Sequence, residues 1–247
     1  MVNPYLILSP IGMAIVGLSA IFYWKRKSKA AWKYFAFGAV IWAIAIAAKV
    51  VMDLTVSQSI YQWLSGFGIV ATLAGIGLYV GLRTGFFESG FSYIAVARTR
   101  FRKMDAIQAV AFGIGFGGIE AIFLGVTGMI NLSLLITNPS LVSMLTPAQQ
   151  AALDMPTIVV IAPILERIFT LAIHLFCSVL VVYSVIKSRP LFLAYSILFK
   201  SLLDGMVPAL NYYLNPASFY GAFVAEVPII ALGIIAIYGT RWVLKKF

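Results

Sequence analysis

Residues 191–214 read "LFLAYSILFKSLLDGMVPALNYYL". A bilayer span needs about 20 mostly apolar residues, and this segment meets that requirement. It also carries Lys200 near its middle and Asp204 one helical turn later. A lysine or aspartate at the centre of a span costs roughly 2.5 to 3.5 kcal/mol on insertion scales, so such residues face a bundle interior and find partners there. Asp204 at i+4 is the first partner that the spacing offers Lys200. The lysine thus predicts that other helices surround this one.

The rest of the chain supplies them. Of 247 residues, 62% are hydrophobic and only 11% charged, and the mean hydropathy is +0.99. Those values exclude a soluble globular domain and a disordered chain, and define an all-α polytopic membrane protein. Seven stretches are long enough to span, at roughly 4–24, 31–52, 60–82, 108–133, 159–186, 191–214 and 217–240. The formal net charge of +10 does not indicate nucleic acid, because the basic residues sit in short loops between apolar segments. The first apolar run has no basic residues before it and no small-residue cleavage pattern after it, so it reads as a retained span. Cys177 is the single cysteine and lies in an apolar segment, which excludes an intrachain disulfide.

Loop charges orient the bundle. Lys25 to Lys33, Arg83 to Lys103, Lys187 with Arg189, and Arg241 to Lys246 alternate with loops around Asp53, 138–156 and Asn215 that hold no lysine or arginine. This predicts an exported N-terminus and a cytoplasmic C-terminus, in the cell membrane. Residues 88–105, "ESGFSYIAVARTRFRKMD", read as a solvated extension of the third helix, the alternative being a segment along the anionic leaflet. Within "TPAQQAALD", Thr146 suits an N-cap and Pro147 the first helical position, predicting a short helix in the exported connection.

Polar residues recur at helical spacing inside several spans. Glu120, Thr127 and Asn131 form a stripe on span four, which also holds the glycine-rich "FGIGFGG". Arg167, Thr170, His174 and Ser178 form one on span five, with Glu166 about 100° around the helix and facing a neighbour. Span six adds Ser196, Lys200, Asp204 and Asn211, and span seven adds Glu226 with Pro228. Ionisable residues at membrane depth are functional candidates by default. Glu120, His174, Lys200 and Asp204 are therefore expected to converge. One histidine and two carboxylates could supply three zinc ligands, but a lysine beside them repels a dication. A proton relay, or an ion-pair network that locks helices together, would use the same residues.

These motifs resemble a family. "GIGFGGIEAI", then "ERIFTLAIHLFCSV", then "KSLLD" look like the YhfC family of intramembrane metalloproteases. That family is placed with the CAAX-processing and PrsW proteases, and with the noncatalytic seven-helix scaffold subunit of γ-secretase known as anterior pharynx-defective. The resemblance runs from Gly85 to the C-terminus, leaving 1–84 as an N-terminal three-helix part of one transmembrane domain. It implies catalytic candidates at Glu88, Glu120, His174 and Asp204, with His174 the metal ligand if a metal is bound. A paired-glutamate motif with an arginine corresponds to "GFFESGFSY", where Glu88 matches the first glutamate, Ser89 replaces the second and Ser92 stands at the arginine. Lys200 stands where the last motif carries its histidine. Glu166, Arg167, Lys200, Asn131 and Glu226 complete the polar set.

Two functions follow from the resemblance. As a protease, Glu88 or Glu120 is the general base toward water, while His174 holds a metal or stabilises an oxyanion, and the substrate is a membrane-associated protein or peptide. As a pseudoprotease, the scaffold holds a transmembrane partner and zinc is not favoured. A small-substrate carrier is a third class, but the chain shows no inverted repeat. Topology is tested by labelling: with Cys177→Ser as background, Ala148→Cys should react with an impermeant thiol reagent in intact cells and Ser28→Cys should not.

Overall fold

The computed structural model describes residues 2–215 and 217–247. Among the described residues, seven helices are long and apolar enough to span a membrane: Pro4–Ser28, Trp32–Leu64, Ile69–Arg98, Ala106–Thr137, Thr157–Ile186, Pro190–Leu214 and Phe219–Leu244. They are numbered one to seven below. Span four lies at the centre and packs on spans one, two and five, while span five packs on spans six and seven, and span six on span three. Its first half is buried on every side, from Ala109 continuously through Gly118. This is the pattern of a helix surrounded by others. Outward-facing side chains such as Leu54 and Val70 are 81% and 70% exposed, as lipid-facing residues would be.

Two of the crossings that are close enough to require glycine position the polar residues. A Cβ on Gly115 would lie 2.6 Å from Phe35 Cα, so spans two and four meet backbone to backbone. A Cβ on Gly205 would lie 2.9 Å from the Gly77 carbonyl oxygen, and spans three and six meet the same way. Small residues permit this approach. Both contacts bear on the site, because they bring Lys49 and Trp42 toward span four and Glu88 toward span six.

One end of the bundle gathers the basic loops. Lys187 Nζ donates to the Phe247 carbonyl at 2.9 Å, and Phe37 of span two stacks on Phe101 between spans three and four, with ring centroids 4.0 Å apart. At the other end, Asn3 Nδ2 donates to the Met155 carbonyl at 2.8 Å, tying the first helix to the connection before span five. That connection contains the expected short helix, Pro147–Leu153, with Thr146 as N-cap in a reciprocal capping box with Gln149.

Two boundaries differ from expectation, the end of span two and the start of span three, for one reason. Span two does not end at residue 52 but continues through a π-helical turn, Asp53–Ser57, to Leu64. The reversal falls at residues 65–68 instead. Arg83 consequently lies inside span three rather than in a basic loop, and its guanidinium pairs with Asp53. Charges that pair across two helices need not end either helix, and a hydropathy window cannot see the partner. The third helix also continues through a second π-helical turn, Gly85–Gly90, into Phe91–Arg98. The helical extension is present, but it is not solvated where it begins: Glu88 is 2% exposed.

Packing at Gly115 gives a test. Gly115→Val should destabilise the detergent-solubilised protein by about 3 kcal/mol or more, because overpacking here meets backbone. Gly90→Ala, where a Cβ meets nothing within 4 Å, should unfold at or above the wild-type temperature.

Candidate functional site

The chemistry gathers around Glu88, which the π-helical turn of span three presents inward. Such turns are frequent at functional sites. Glu88 Oε2 accepts from Lys200 Nζ at 2.6 Å, and Oε1 accepts from Lys49 Nζ at 2.7 Å. Lys200 is 2% exposed, and its ammonium also lies 4.0 Å from the centre of the Phe116 ring. The carboxylate thus joins spans two, three and six, and Phe116 gives Lys200 a cation–π contact with span four.

Glu120 forms the second centre. Its Oε1 accepts from Arg167 Nη1 at 2.9 Å, and its Oε2 accepts from Trp42 Nε1 at 2.8 Å. His174 lies between the two carboxylates, with Nε2 3.1 Å from Glu120 Oε2 and Nδ1 3.6 Å from Glu88 Oε2. Whichever ring nitrogen carries the proton faces a carboxylate oxygen. The imidazole is 5% exposed and packs against Phe116, with ring centroids 5.4 Å apart.

Of the expected residues, Glu88, Glu120, His174, Arg167, Lys200 and Asp204 meet around one region, but two pairings differ. The Lys200 ammonium pairs with Glu88, whereas Asp204 accepts from Thr84 Oγ1 at 2.5 Å. A hydroxyl one turn before Glu88 serves Asp204, which leaves the lysine to the better-placed carboxylate. Glu166 does not pair with a neighbouring helix; it pairs with the adjacent Arg167, whose long guanidinium arm curls back to it. Asn131 and Glu226 lie elsewhere, on the wall of an adjoining cavity. At the thinned motif, Ser89 Oγ and Ser196 Oγ are 2.8 Å apart, a helix-to-helix hydrogen bond in place of an acid.

Lys49, Trp42 and Thr84 were not anticipated. Lys49 and Trp42 had a signal: residues 42, 46 and 49 share a helical face, and a lysine inside an apolar segment needs a partner. Thr84 had none.

The charged residues line a pocket of about 220 Å³ that Glu88, Glu120, His174 and Asp204 share with Lys49 and Arg167. Seven spanning helices closed around buried acids, bases and one histidine define an integral membrane protein with an intramembrane polar site. The comparisons narrow that class. The sequence pattern of the YhfC intramembrane metalloprotease family matches residues 12–227, beginning well before Gly85. The chain is also 32% identical over 183 residues to the uncharacterized membrane protein YhfC of Bacillus subtilis (strain 168), covering 68% of this chain and 67% of that protein. No solved structure matches. The chain belongs to the YhfC intramembrane metalloprotease family.

The family name implies a metal, and the donor set does not fit one. Among the described residues, no three His, Cys, Asp or Glu side chains converge as a ligand set. Both oxygens of Glu88 are held by ammonium groups, and both oxygens of Glu120 by Arg167 and Trp42. A dication would have to displace these donors while lying close to two lysines and an arginine.

The pairing predicts coupled energetics. Removing one member of a buried ion pair costs about 3–5 kcal/mol, because the other is stranded. Lys200→Met should lower stability by about 3 kcal/mol, and adding Glu88→Gln should recover part of it. Adding Asp204→Asn to Lys200→Met should be additive. Thermal unfolding of the singles and doubles in detergent checks this, and coupling to Asp204 instead of Glu88 would refute the assigned partner.

Proposed function

We propose that this chain is a non-hydrolytic member of its family, which keeps the seven-helix scaffold to hold a transmembrane partner protein. The observation that carries this reading is the saturation of Glu88: an acid bonded to two ammonium groups is not free to take a proton from water. The ion network then does for the scaffold what a metal would otherwise do, holding acidic helices together by positive charge. Its place is the cell membrane, with the basic loops in the cytoplasm, as their charge asymmetry supports.

Hydrolysis is the second reading, and one feature favours it. The 220 Å³ pocket between Glu120, His174 and Asp204 has room for several waters at about 30 Å³ each. In that case Glu120, 3.1 Å from His174 Nε2, would be the base that activates one of them, after releasing the bond from Arg167 or Trp42.

Metal content and cleavage separate the two. Purified protein should carry well under one zinc per chain, and His174→Ala should not change that value. Photo-crosslinking in native membranes should recover the same intact partner from wild type and from His174→Ala. One tightly held zinc per chain that is lost in His174→Ala, or a partner cleaved only by the wild type, would overturn the non-hydrolytic reading.

A further inference from the structure

A second cavity, about 640 Å³, opens at the end of the bundle away from the basic loops, between spans one, four, five, six and seven. It shares Leu124, Glu166, Val207 and Ile229 with the charged pocket beneath it. Its walls are mainly apolar, with Pro10, Met13, Leu124, Val159, Leu210 and Ile229 contributing. Two carboxylic acids, Glu166 and Glu226, line it, and among the described residues no lysine or arginine does.

Glu226 is the unusual member. It begins the last regular stretch of span seven, Glu226–Leu244, directly after a break at Ala225. Pro228 accounts for the break, since it has no N–H for the carbonyl of Val224. The side chain is held here at 9% exposure, and its Oε2 is buried with no hydrogen-bond partner among the described residues. Glu166, by contrast, is already engaged by Arg167. A buried carboxyl without a partner is costly and is relieved by a donor. Nothing that lines the cavity supplies a cationic one.

Size sets the kind of ligand. A helix about 10 Å across fills about 420 Å³ per turn, so the cavity holds roughly one and a half turns and not a spanning segment. It lies within the range of about 300–1,000 Å³ typical of small-molecule sites. We propose that this cavity is a binding site for a small amphiphilic amine, in which Glu226 takes the nitrogen and the walls take the apolar body. The inference does not depend on whether the deeper cluster hydrolyses anything.

The test uses the full chain in nanodiscs of zwitterionic lipid, with 1-aminoadamantane and adamantan-1-ol as probes of one shape, and equilibrium dialysis against protein-free discs. The amine should bind saturably and about tenfold or more tighter than the alcohol, as expected for a charge-assisted bond. Glu226→Gln should reduce that preference about tenfold. Leu210→Trp, which fills the cavity and leaves the carboxyl in place, should abolish saturable binding of both probes, with folding verified by thermal unfolding. Equal affinity for the two probes, an unchanged preference in Glu226→Gln, or uptake no greater than that of protein-free discs would each overturn the proposal.

Discussion

An acid left unpaired among helices at membrane depth is costly, and Glu88 avoids that cost by accepting from two lysines on two other helices. Much of the bundle is arranged to make this so. Lys49 reaches it from span two and Lys200 from span six, while His174 of span five lies beside the same carboxylate. Each partner comes from a different helix, so the network fixes the relative rotation of those helices as well as their distance. Buried ion pairs are weak evidence for net stability, since desolvation offsets much of their attraction. Their stronger effect here is on register: rotating any of these helices by one residue would bury a charge without its counterpart.

Glycine makes the network reachable. The crossing at Gly205 brings span six, which carries Lys200, into near contact with span three, which carries Glu88, and the crossing at Gly115 brings span two, which carries Lys49 and Trp42, against span four. The π-helical turn at Gly85–Gly90 adds the last adjustment by turning Glu88 inward. In lipid, where water cannot drive helices together, packing of small residues and polar contacts across helices are the forces left. This chain uses both at the same levels of the bundle.

Hydropathy made the seven spans legible because a span has a minimum length, and the stripes on spans four, five and six were legible because a helix repeats every 3.6 residues. What could not be read was pairing between helices. Asp53 and Arg83 each looked like the end of a span, and only their contact explains why the helices run on. Asp204 looked like the partner of Lys200 because it is near in sequence, whereas the structure prefers an acid 112 positions away. Glu88 was found through its motif and then placed in a solvated extension, since nothing local marks a helix as buried by others. Lys49 is legible as a lysine in an apolar segment, but near the end of the expected span its head could equally snorkel to the interface.

The long hairpin of spans two and three has a consequence for the surrounding bilayer. Span two has 33 residues and span three 30, or about 50 Å and about 45 Å of helix. The hydrocarbon core is about 30 Å thick. Because Asp53 and Arg83 clamp the two helices together, they cannot lean independently to shorten themselves. The hairpin tilts as a unit, stands proud of the headgroups, or draws longer acyl chains around it. Each response costs fractions of a kcal/mol per ångström of mismatch. Such mismatch would favour thicker, more ordered patches of membrane, so the hairpin that brings Lys49 to Glu88 would also help set which lipids surround the charged cluster.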